Sequence, residues 1–372
     1  MAIISFEEAL RRTEDMKRHL LIGNGFSIAL FPNFMYKSLF DSTDFSGHPQ
    51  AKAAFAALNT TDFEKVIQAL LEAVALSSVY GVDSAAKNLM KQHADDLKEL
   101  LVQAIAGNHP DRPNAVSDDQ FAICRKFLAA FIGHGRSKGV KGKELRGAVF
   151  SLNYDLLLYW VLMHNAPEVR ARVGSDGEAE FTVEGAEDLK SDDGFRAPDD
   201  PDAEYVTWEG LGVVSQCVNF IHGALHLFDY GTEVQKKCWE RSGGVPLVDQ
   251  IRAALDSSRF PLFVSEGNSD SKLDRINHSA YLHKCFRNFR QSLQHKVALF
   301  IYGHSLASSD DHILEQIVKA KFPQVFISLY SDPASPEGRE IIARGNALAT
   351  ARGDDSPLKV TFYDARSTPV WR

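Results

Sequence analysis

Short apolar runs alternate with helix-like segments along much of the chain. The stretch Arg18–Leu30 starts with such a run, breaks at Gly23-Asn24-Gly25 and resumes in a helix-compatible pattern, which predicts a strand, a tight turn and a helix. Further apolar runs predict buried strands at Ala148–Asn153, Cys217–Phe228, Pro261–Ser265, Val297–Tyr302, Gln324–Tyr330 and Leu358–Tyr363. Because helices separate the later runs, the pattern favours an α/β fold with a Rossmann-like, doubly wound and mostly parallel sheet.

Helical periodicity and strong helix formers dominate the chain from Ala51 to about His134. We expect three or four helices there, with Asp62 as an N-cap and with Ser117 and Gln120 as a capping box. The same periodicity predicts helices at Phe6–Lys17, Tyr281–Leu293, His312–Ala320 and Ser335–Ala349.

The helical block separates the first predicted sheet strand from the second. This position indicates an inserted helical subdomain over residues 35–146, and it leaves residues 1–34 and 147–372 to form the Rossmann-like domain. Within that domain, residues 165–215 are expected to form an exposed acidic excursion, because they contain the segments S-D-D-G and P-D-D-P-D.

Composition is ordinary for a globular protein and narrows the classes of function. Of 372 residues, 44% are hydrophobic and 24% are charged, and the net charge of −8 does not support nucleic acid as a partner. The four cysteines lack C-x-x-C spacing, so no metal site and no zinc motif is predicted. The first residues do not resemble a secretory leader and no apolar run is long enough to cross a bilayer, so a cytoplasmic location without membrane contact is expected.

Four polar turns follow apolar strand runs. In an open parallel sheet, ligands bind beyond the carboxyl ends of the strands, so these turns are candidates for one shared crevice. They are Gly23-Asn24-Gly25-Phe26-Ser27, Ser151-Leu152-Asn153-Tyr154-Asp155, His222-Gly223, and Gly303-His304-Ser305 with Asp310 downstream. For each turn alone a simpler interpretation stays open, in which Asn and Asp cap helices, glycines make turns and His222 only ends a strand.

The first turn also suggests a chemistry. Glycines between a buried strand and a helix leave backbone N–H groups bare at the helix N-terminus, and such a place attracts phosphate. Ser27 could cap the helix or donate to an anion. The conventional dehydrogenase fingerprint is not met, because Ile28 replaces its third glycine and the later acids Asp41 and Asp44 fall in a predicted loop.

Taken together, the four turns resemble a known family. The segments G-N-G-F-S, S-L-N-Y-D, I-H-G and Y-G-H-S-L-x-x-x-D-x-H-I are similar to those of the sirtuin-like NAD-cleaving domains of bacterial anti-phage defence systems. In sirtuins the corresponding elements are a Gly-Ala-Gly-x-Ser turn, a Thr-Gln-Asn-x-Asp segment and a His-Gly pair. The resemblance extends over most of the chain in order and is weakest at residues 35–146 and 165–215.

The resemblance implies roles for individual residues. Residues 1–34 and 147–372 would be the sirtuin-type NAD-binding and catalytic domain. Asn153, His222 and Asp155 would be catalytic. Asn153 would bind the nicotinamide ribose or the attacking water, His222 would act as base and Asp155 would orient or cap nearby groups. Backbone amides around the first turn would hold the diphosphate, and Ser305 and Asp310 would line the adenosine side. The full set of implied NAD-binding residues is Gly23, Asn24, Gly25, Phe26, Ser27, Tyr154, Gly303, Ser305 and Asp310.

Two differences between this sequence and the sirtuin motifs favour NAD hydrolysis over protein deacylation. The cysteines cannot build the four-cysteine zinc module of protein deacylases, and Phe31-Pro32-Asn33-Phe34 stands where those enzymes carry Gly-Ile-Pro-Asp-Phe-Arg. Hydrolysis of NAD to nicotinamide and ADP-ribose by a toxic defence effector is therefore the leading expectation, with NAD as substrate and no further cofactor. The alternatives are a non-catalytic NAD or ADP-ribose sensor or scaffold for a defence ATPase and, least favoured, a deacylase. A homo-oligomer is also expected.

Overall fold

The fold is seen in a computed structural model that describes residues 3–133, 145–164, 168–173, 179–184, 189–213, 215–239, 241–353 and 356–372. Its strands, in chain order, are β1 (Lys17–Ile22), β2 (Val149–Ser151), β3 (Glu168–Val173), β4 (Ala179–Glu184), β5 (Phe195–Arg196), β6 (Tyr205–Trp208), β7 (Val218–Phe220), β8 (Leu227–Asp229), β9 (Val234–Lys237), β10 (Val297–Tyr302), β11 (Gln324–Leu329) and β12 (Lys359–Asp364).

Its helices, also in chain order, are α1 (Phe6–Arg11), α2 (Gly25–Ile28), α3 (Tyr36–Ser42), α4 (Pro49–Ala57), α5 (Phe63–Ser77), α6 (Ser84–Asn108), α7 (Asp118–Ile132), α8 (Leu157–Met163), α9 (Leu247–Asp256), α10 (Ser269–Asn277), α11 (Ala280–Ser292), α12 (Asp311–Lys319) and α13 (Pro336–Arg352). None of these described helices combines the length and the apolar character that a membrane span requires.

The central sheet confirms the predicted Rossmann-like α/β fold. Six parallel strands lie in the order β7-β2-β1-β10-β11-β12. Counted along the chain, this is the order 3-2-1-4-5-6 of dinucleotide-binding Rossmann folds, in which a crevice forms where the order reverses. Here the reversal lies between β1 and β10, so the turns after these two strands border the crevice.

The predicted helices are largely confirmed, and so are their caps. The Asp62 carboxylate accepts from the first backbone N–H groups of α5, and Ser117 and Gln120 form a reciprocal capping box on α7. The first helix is shorter than predicted and ends at Arg11. The hydroxyl of Thr13 donates to the carbonyl of Ala9 at 3.0 Å, and such side-chain bonds compete with helix continuation.

Helix α7 belongs to the layer that covers the sheet. Its Phe131 ring lies 5.4 Å from the ring of Phe300 on β10, and its Phe127 ring lies 5.5 Å from that of Phe6. All four rings are buried, and each contributes about 1.5–3 kcal/mol through burial. The last helix of the block over residues 35–146 is therefore a crossover helix between β1 and β2, whereas the prediction described the whole block as an insertion.

Two predicted strands are wrong. The run Cys217–Phe228 is broken into β7 and β8, which belong to different sheets. The break is at Gly223, whose φ of +77° no ordinary strand residue adopts and whose Cβ position would lie 1.9 Å from the Leu262 carbonyl oxygen. The run Pro261–Ser265 pairs with this turn through one isolated bridge, Gly223 to Phe263, and forms no strand.

A small antiparallel sheet, β5-β6-β9-β8, was missed by the sequence prediction. This sheet includes part of the predicted excursion over residues 165–215. An ion pair of 2.6 Å between Lys236 and Asp193, both largely buried, stabilises it. The excursion is thus partly a folded element. Residues 165–167, 174–178, 185–188 and 214 of that prediction lie outside the described residues, as does the predicted helix boundary at His134.

Candidate functional site

A cavity of about 1170 Å³ opens at the carboxyl edge of the central sheet, where the strand order reverses. The turns that follow β1 and β10 meet there, because the Gly25 amide donates to the Gly303 carbonyl at 2.8 Å. Helices of the block over residues 35–146 supply a further wall through Tyr36 and Glu64. The sequence-predicted residues that line this cavity are Gly23, Asn24, Gly25, Asn153, Tyr154, Asp155, His222, Gly303, Ser305 and Asp310.

The other two predicted residues lie behind the cavity wall. Phe26 is fully buried and its ring lies 5.0 Å from the ring of Trp371, near the end of the chain. Ser27 is also fully buried and contacts Asn153 and Asp155. Neither side chain lines the cavity, and the Ser27 side chain instead supports two residues that do.

The glycines of the first turn are explained by close packing. A Cβ atom on Gly25 would lie 2.5 Å from the Gly303 Cα atom, and one on Gly23 would lie 2.8 Å from the Gly303 carbonyl oxygen. The amides of Gly23, Gly25, Phe26 and Ser27 already donate to backbone carbonyls at 2.8–3.0 Å. These four amides are not bare, so the reason given for a diphosphate at this turn does not apply to them.

Asn153 presents an unused acceptor. Its Nδ2 donates to the hydroxyl of Ser27 at 2.9 Å, and that hydroxyl donates to Oδ2 of Asp155 at 2.5 Å. The Oδ1 atom of Asn153 is buried and has no hydrogen-bond partner among the described residues. Such an orphaned acceptor is uncommon, and it is suited to a hydroxyl or a water molecule that enters the cavity.

Asp155 holds its surroundings in place. Its Oδ1 atom accepts from the Leu157 amide at 2.9 Å at the start of α8, while Oδ2 accepts from Ser27. Burial raises the pKa of this carboxyl, and the two hydrogen bonds oppose that rise. This arrangement agrees with the predicted orienting and capping role.

His222 lies two residues after the end of β7 and is paired with a second histidine. Its Nε2 is 3.1 Å from Nε2 of His312, so one ring nitrogen donates and the other accepts. Burial lowers the pKa of His222 well below its ordinary value and lowers the pKa of His312 to about 4. Both imidazoles are therefore neutral near pH 7, and a neutral imidazole can accept a proton.

An ion cluster of Glu64, Lys272, Asp310 and His304 lies beside this pair. The Lys272 ammonium is fully buried and contacts Glu64 at 2.7 Å and Asp310 at 2.9 Å. Nδ1 of His304 accepts from a backbone amide, so its Nε2 carries the proton and donates to Asp310 at 2.9 Å. The nearby Lys272 and His304 hold the pKa of Asp310 well below its usual range against the effect of burial.

The carboxylate of Asp310 lies next to His222. Its Oδ1 lies 4.0 Å from Nε2 of His222, and both of its oxygens are held by the ion cluster. The assignment of Asp310 to the adenosine side stays a prediction. Sequence reasoning missed Glu64 and Lys272, since each looked like an ordinary polar position of an amphipathic helix. Their 208-residue separation left no local signal.

The remaining cavity residues extend it toward β11 and β12. Tyr154 lies near the ion cluster, with its hydroxyl 2.5 Å from the Val264 carbonyl oxygen and 3.1 Å from Oε1 of Glu64. On the other side, Ser305 follows β10, and the Arg366 guanidinium lies 4.9 Å above the ring of Tyr330. The cavity therefore joins a buried polar end to an end with an exposed aromatic ring and a cation.

Comparison with known proteins gives a family without an assigned activity. No curated protein matches the chain. A family model described as a domain of unknown function, DUF4917, matches residues 20–371, which include both sides of the cavity. The chain belongs to the DUF4917 family.

Proposed function

We propose that this protein is an NAD glycohydrolase, which releases nicotinamide and ADP-ribose. The observation that carries the proposal is the shared cavity of Asn153, with its unpartnered Oδ1, and His222, at the point where a 3-2-1-4-5-6 sheet reverses its order. Crevices at this point bind dinucleotides, and the two residues match the catalytic positions that the sirtuin-like resemblance implies. A role as a toxic effector of anti-phage defence is part of the same proposal and rests on that resemblance.

The proposed reaction breaks the bond between the nicotinamide nitrogen and the ribose C1′ carbon. The bond's electron pair leaves with nicotinamide, a water oxygen forms the new bond to C1′, and the water proton passes to the neutral His222. Asn153 Oδ1 accepts from the ribose hydroxyl or the water and thereby fixes its position. Positive charge develops on the ribose in the transition state, and the carboxylates of the ion cluster favour such charge nearby.

The test is incubation of the purified full chain with NAD and chromatographic measurement of nicotinamide and ADP-ribose, with and without candidate activators. Asn153→Ala and His222→Ala should each reduce product formation by at least about 100-fold, since each removes a group from the reacting atoms. The matched controls are Asn346→Ala and His283→Ala, because both residues are exposed and lie outside the cavity. They should retain wild-type rates.

Two results would count against the proposal. Equal turnover in wild type and in both cavity variants would mean that the chemistry lies elsewhere. Absence of NAD and ADP-ribose binding by calorimetry would remove the dinucleotide site altogether. Binding without product under every activating condition would instead favour the non-catalytic sensor, and consumption of NAD only with an acylated peptide would favour the deacylase.

A further inference from the structure

We propose that His222, His312 and Asp310 form a binding site for one divalent transition-metal ion of the Zn²⁺ type. The site uses two imidazole nitrogens and one carboxylate oxygen, a donor set that zinc, nickel and copper accept and magnesium does not favour. The cysteine spacing predicted no metal site, whereas these three ligands come from the residues after β7 and from the start of α12, far apart in the chain.

The spacing of the donor atoms fits a single ion. Nε2 of His222 lies 3.1 Å from Nε2 of His312 and 4.0 Å from Oδ1 of Asp310, and all three donor atoms lie within 4.8 Å of one another. In a tetrahedral site with ligands about 2.1 Å from the ion, the ligand atoms lie about 3.4 Å apart, so the histidine pair already fits and the Asp310 carboxylate has to approach by roughly an ångström. The two imidazole nitrogens already face each other, and the ion would take the place of the proton that they share.

Two of the three ligands also have a second hydrogen-bond partner, as metal ligands in proteins usually do. Nδ1 of His312 lies 3.3 Å from the hydroxyl of Ser269, and Oδ2 of Asp310 accepts from His304. Hydrogen bonds of this kind fix the ring orientation and carboxylate direction of bound ligands. His312 and Asp310 are thus held in place before an ion arrives.

Charge also favours a cation at this place. Lys272 contacts Oδ1 of Asp310, but a carboxylate oxygen has two lone pairs, and the charge of Lys272 is offset by Glu64 at 2.7 Å. Glu64, Lys272 and Asp310 together carry one net negative charge. His222 and Asp310 line the cavity, so an ion can reach them from it.

Metal binding has a consequence that rests on the proposed function. An ion on Nε2 of His222 withdraws electron density from the imidazole and adds positive charge beside it, so the ring can no longer take up the water proton and Zn²⁺ should inhibit NAD cleavage. Binding of the ion itself does not depend on any activity of the protein. A failure of the metal proposal can therefore be told apart from a failure of the proposed NAD chemistry.

The experiment treats the full chain with a chelator, removes the chelator, and titrates the protein with Zn²⁺ by calorimetry and with Co²⁺ by visible absorption. We expect one ion per chain for both metals and no binding of Mg²⁺. His312→Gln should weaken binding by at least about 100-fold, and Ser269→Ala by about tenfold, because loss of a second partner alone costs 10–100-fold. His283→Ala, at an exposed histidine, is the matched control and should bind as the wild type does.

Binding of equal strength in wild type and His312→Gln, or no binding of either metal by the wild type, would overturn the proposal. Circular dichroism of each variant checks that it is folded, and Ser269→Ala keeps all three ligands if His312→Gln does not fold. In the NAD assay, each variant is compared with its own rate without metal. Zn²⁺ binding at the site without inhibition of NAD cleavage would contradict the expectation that the ion blocks the proposed base His222.

Discussion

Asn153 and Ser27 are joined by a hydrogen bond of 2.9 Å across 126 positions of the chain. The direction of this bond is determined by a third residue, because the Ser27 proton is donated to Asp155 and the serine oxygen must therefore accept from Nδ2 of Asn153. This orientation leaves Oδ1 of Asn153, a residue of the cavity lining, without a hydrogen-bond partner among the described residues. Ser27 thus acts on the cavity through Asn153, as a positioning residue.

Ser27→Ala should reduce kcat for NAD cleavage by about tenfold and leave KM nearly unchanged, since the substrate contacts stay but the Asn153 amide loses its fixed orientation. Loss of the buried hydrogen bonds should also lower the free energy of unfolding by about 1–2 kcal/mol. Steady-state kinetics and urea denaturation measure the two effects. Ser257→Ala removes an exposed serine hydroxyl and serves as control. A parallel rise in KM would argue that Ser27 contacts the substrate.

The packing of the turns after β1 and β10 gives a second prediction. Gly25→Ala would place a methyl group 2.5 Å from the Gly303 Cα atom, and neither backbone can withdraw easily. We expect the free energy of unfolding to fall by about 1–3 kcal/mol, with a loss of ligand binding because the crevice widens. Gly107→Ala in α6 has no atom within 4 Å of its new methyl group and should stabilise the protein by about 0.5–1 kcal/mol. Equal effects at both sites in urea denaturation would contradict the close-packing explanation.

The buried lysine of the ion cluster gives a third prediction. Lys272→Met leaves the carboxylates of Glu64 and Asp310 buried without their shared cation, so the free energy of unfolding should fall by about 3–5 kcal/mol. The double variant Lys272→Met with Glu64→Gln should recover part of this loss, because one of the two charges is removed. Lys319→Met breaks an exposed ion pair and should change stability by no more than about 1 kcal/mol. Similar losses for the two lysines in thermal or urea denaturation would refute the role of burial.

The local pattern of hydrophobic and polar residues was sufficient to predict most helices and central strands of the fold. Helix caps such as Asp62 and the central strands were predicted because 3.6-residue and strand periodicities are local properties of the sequence. The run Cys217–Phe228 was predicted as one strand, but its apolar residues belong to strands of two different sheets. The turn at Gly223, with its positive φ, separates the two strands. A run of buried residues does not reveal which sheet buries it.

The residues of the candidate site could be predicted only where they follow the carboxyl ends of the parallel strands, the place where open sheets of this kind bind ligands. Strand ends of one parallel sheet meet at one edge, and this brought Asn153 and His222 to the same cavity. No such rule connects Lys272 on α10 with Glu64 on α5, so their ion pair had no sequence signal. The glycine turn was identified correctly as a special position, but its cause is the approach of Gly303 rather than bare amides.

His109 gives a prediction for acid stability. Its Nδ1 is 2.9 Å from the Pro110 carbonyl oxygen and its Nε2 accepts from the Leu156 amide at 3.1 Å, so the folded site fits only the neutral ring. Burial lowers the pKa of His109 to about 4, below its ordinary value of 6.5. Between these two values the unfolded chain binds a proton that the native state does not, so this part of the stability is present above pH 6.5 and is lost as the pH falls toward 4.

From pH 7 to pH 5, His109 should therefore account for about 2 kcal/mol of lost unfolding free energy. The measurement is urea denaturation at both pH values for wild type, His109→Gln and His283→Gln. His109→Gln lowers stability at pH 7 because its hydrogen bonds are disturbed, but its further loss on going to pH 5 should be smaller than that of the wild type by this amount. The exposed His283→Gln should keep the full wild-type pH dependence. An unchanged pH dependence in His109→Gln would show that His109 takes up its proton in the native state as readily as in the unfolded chain.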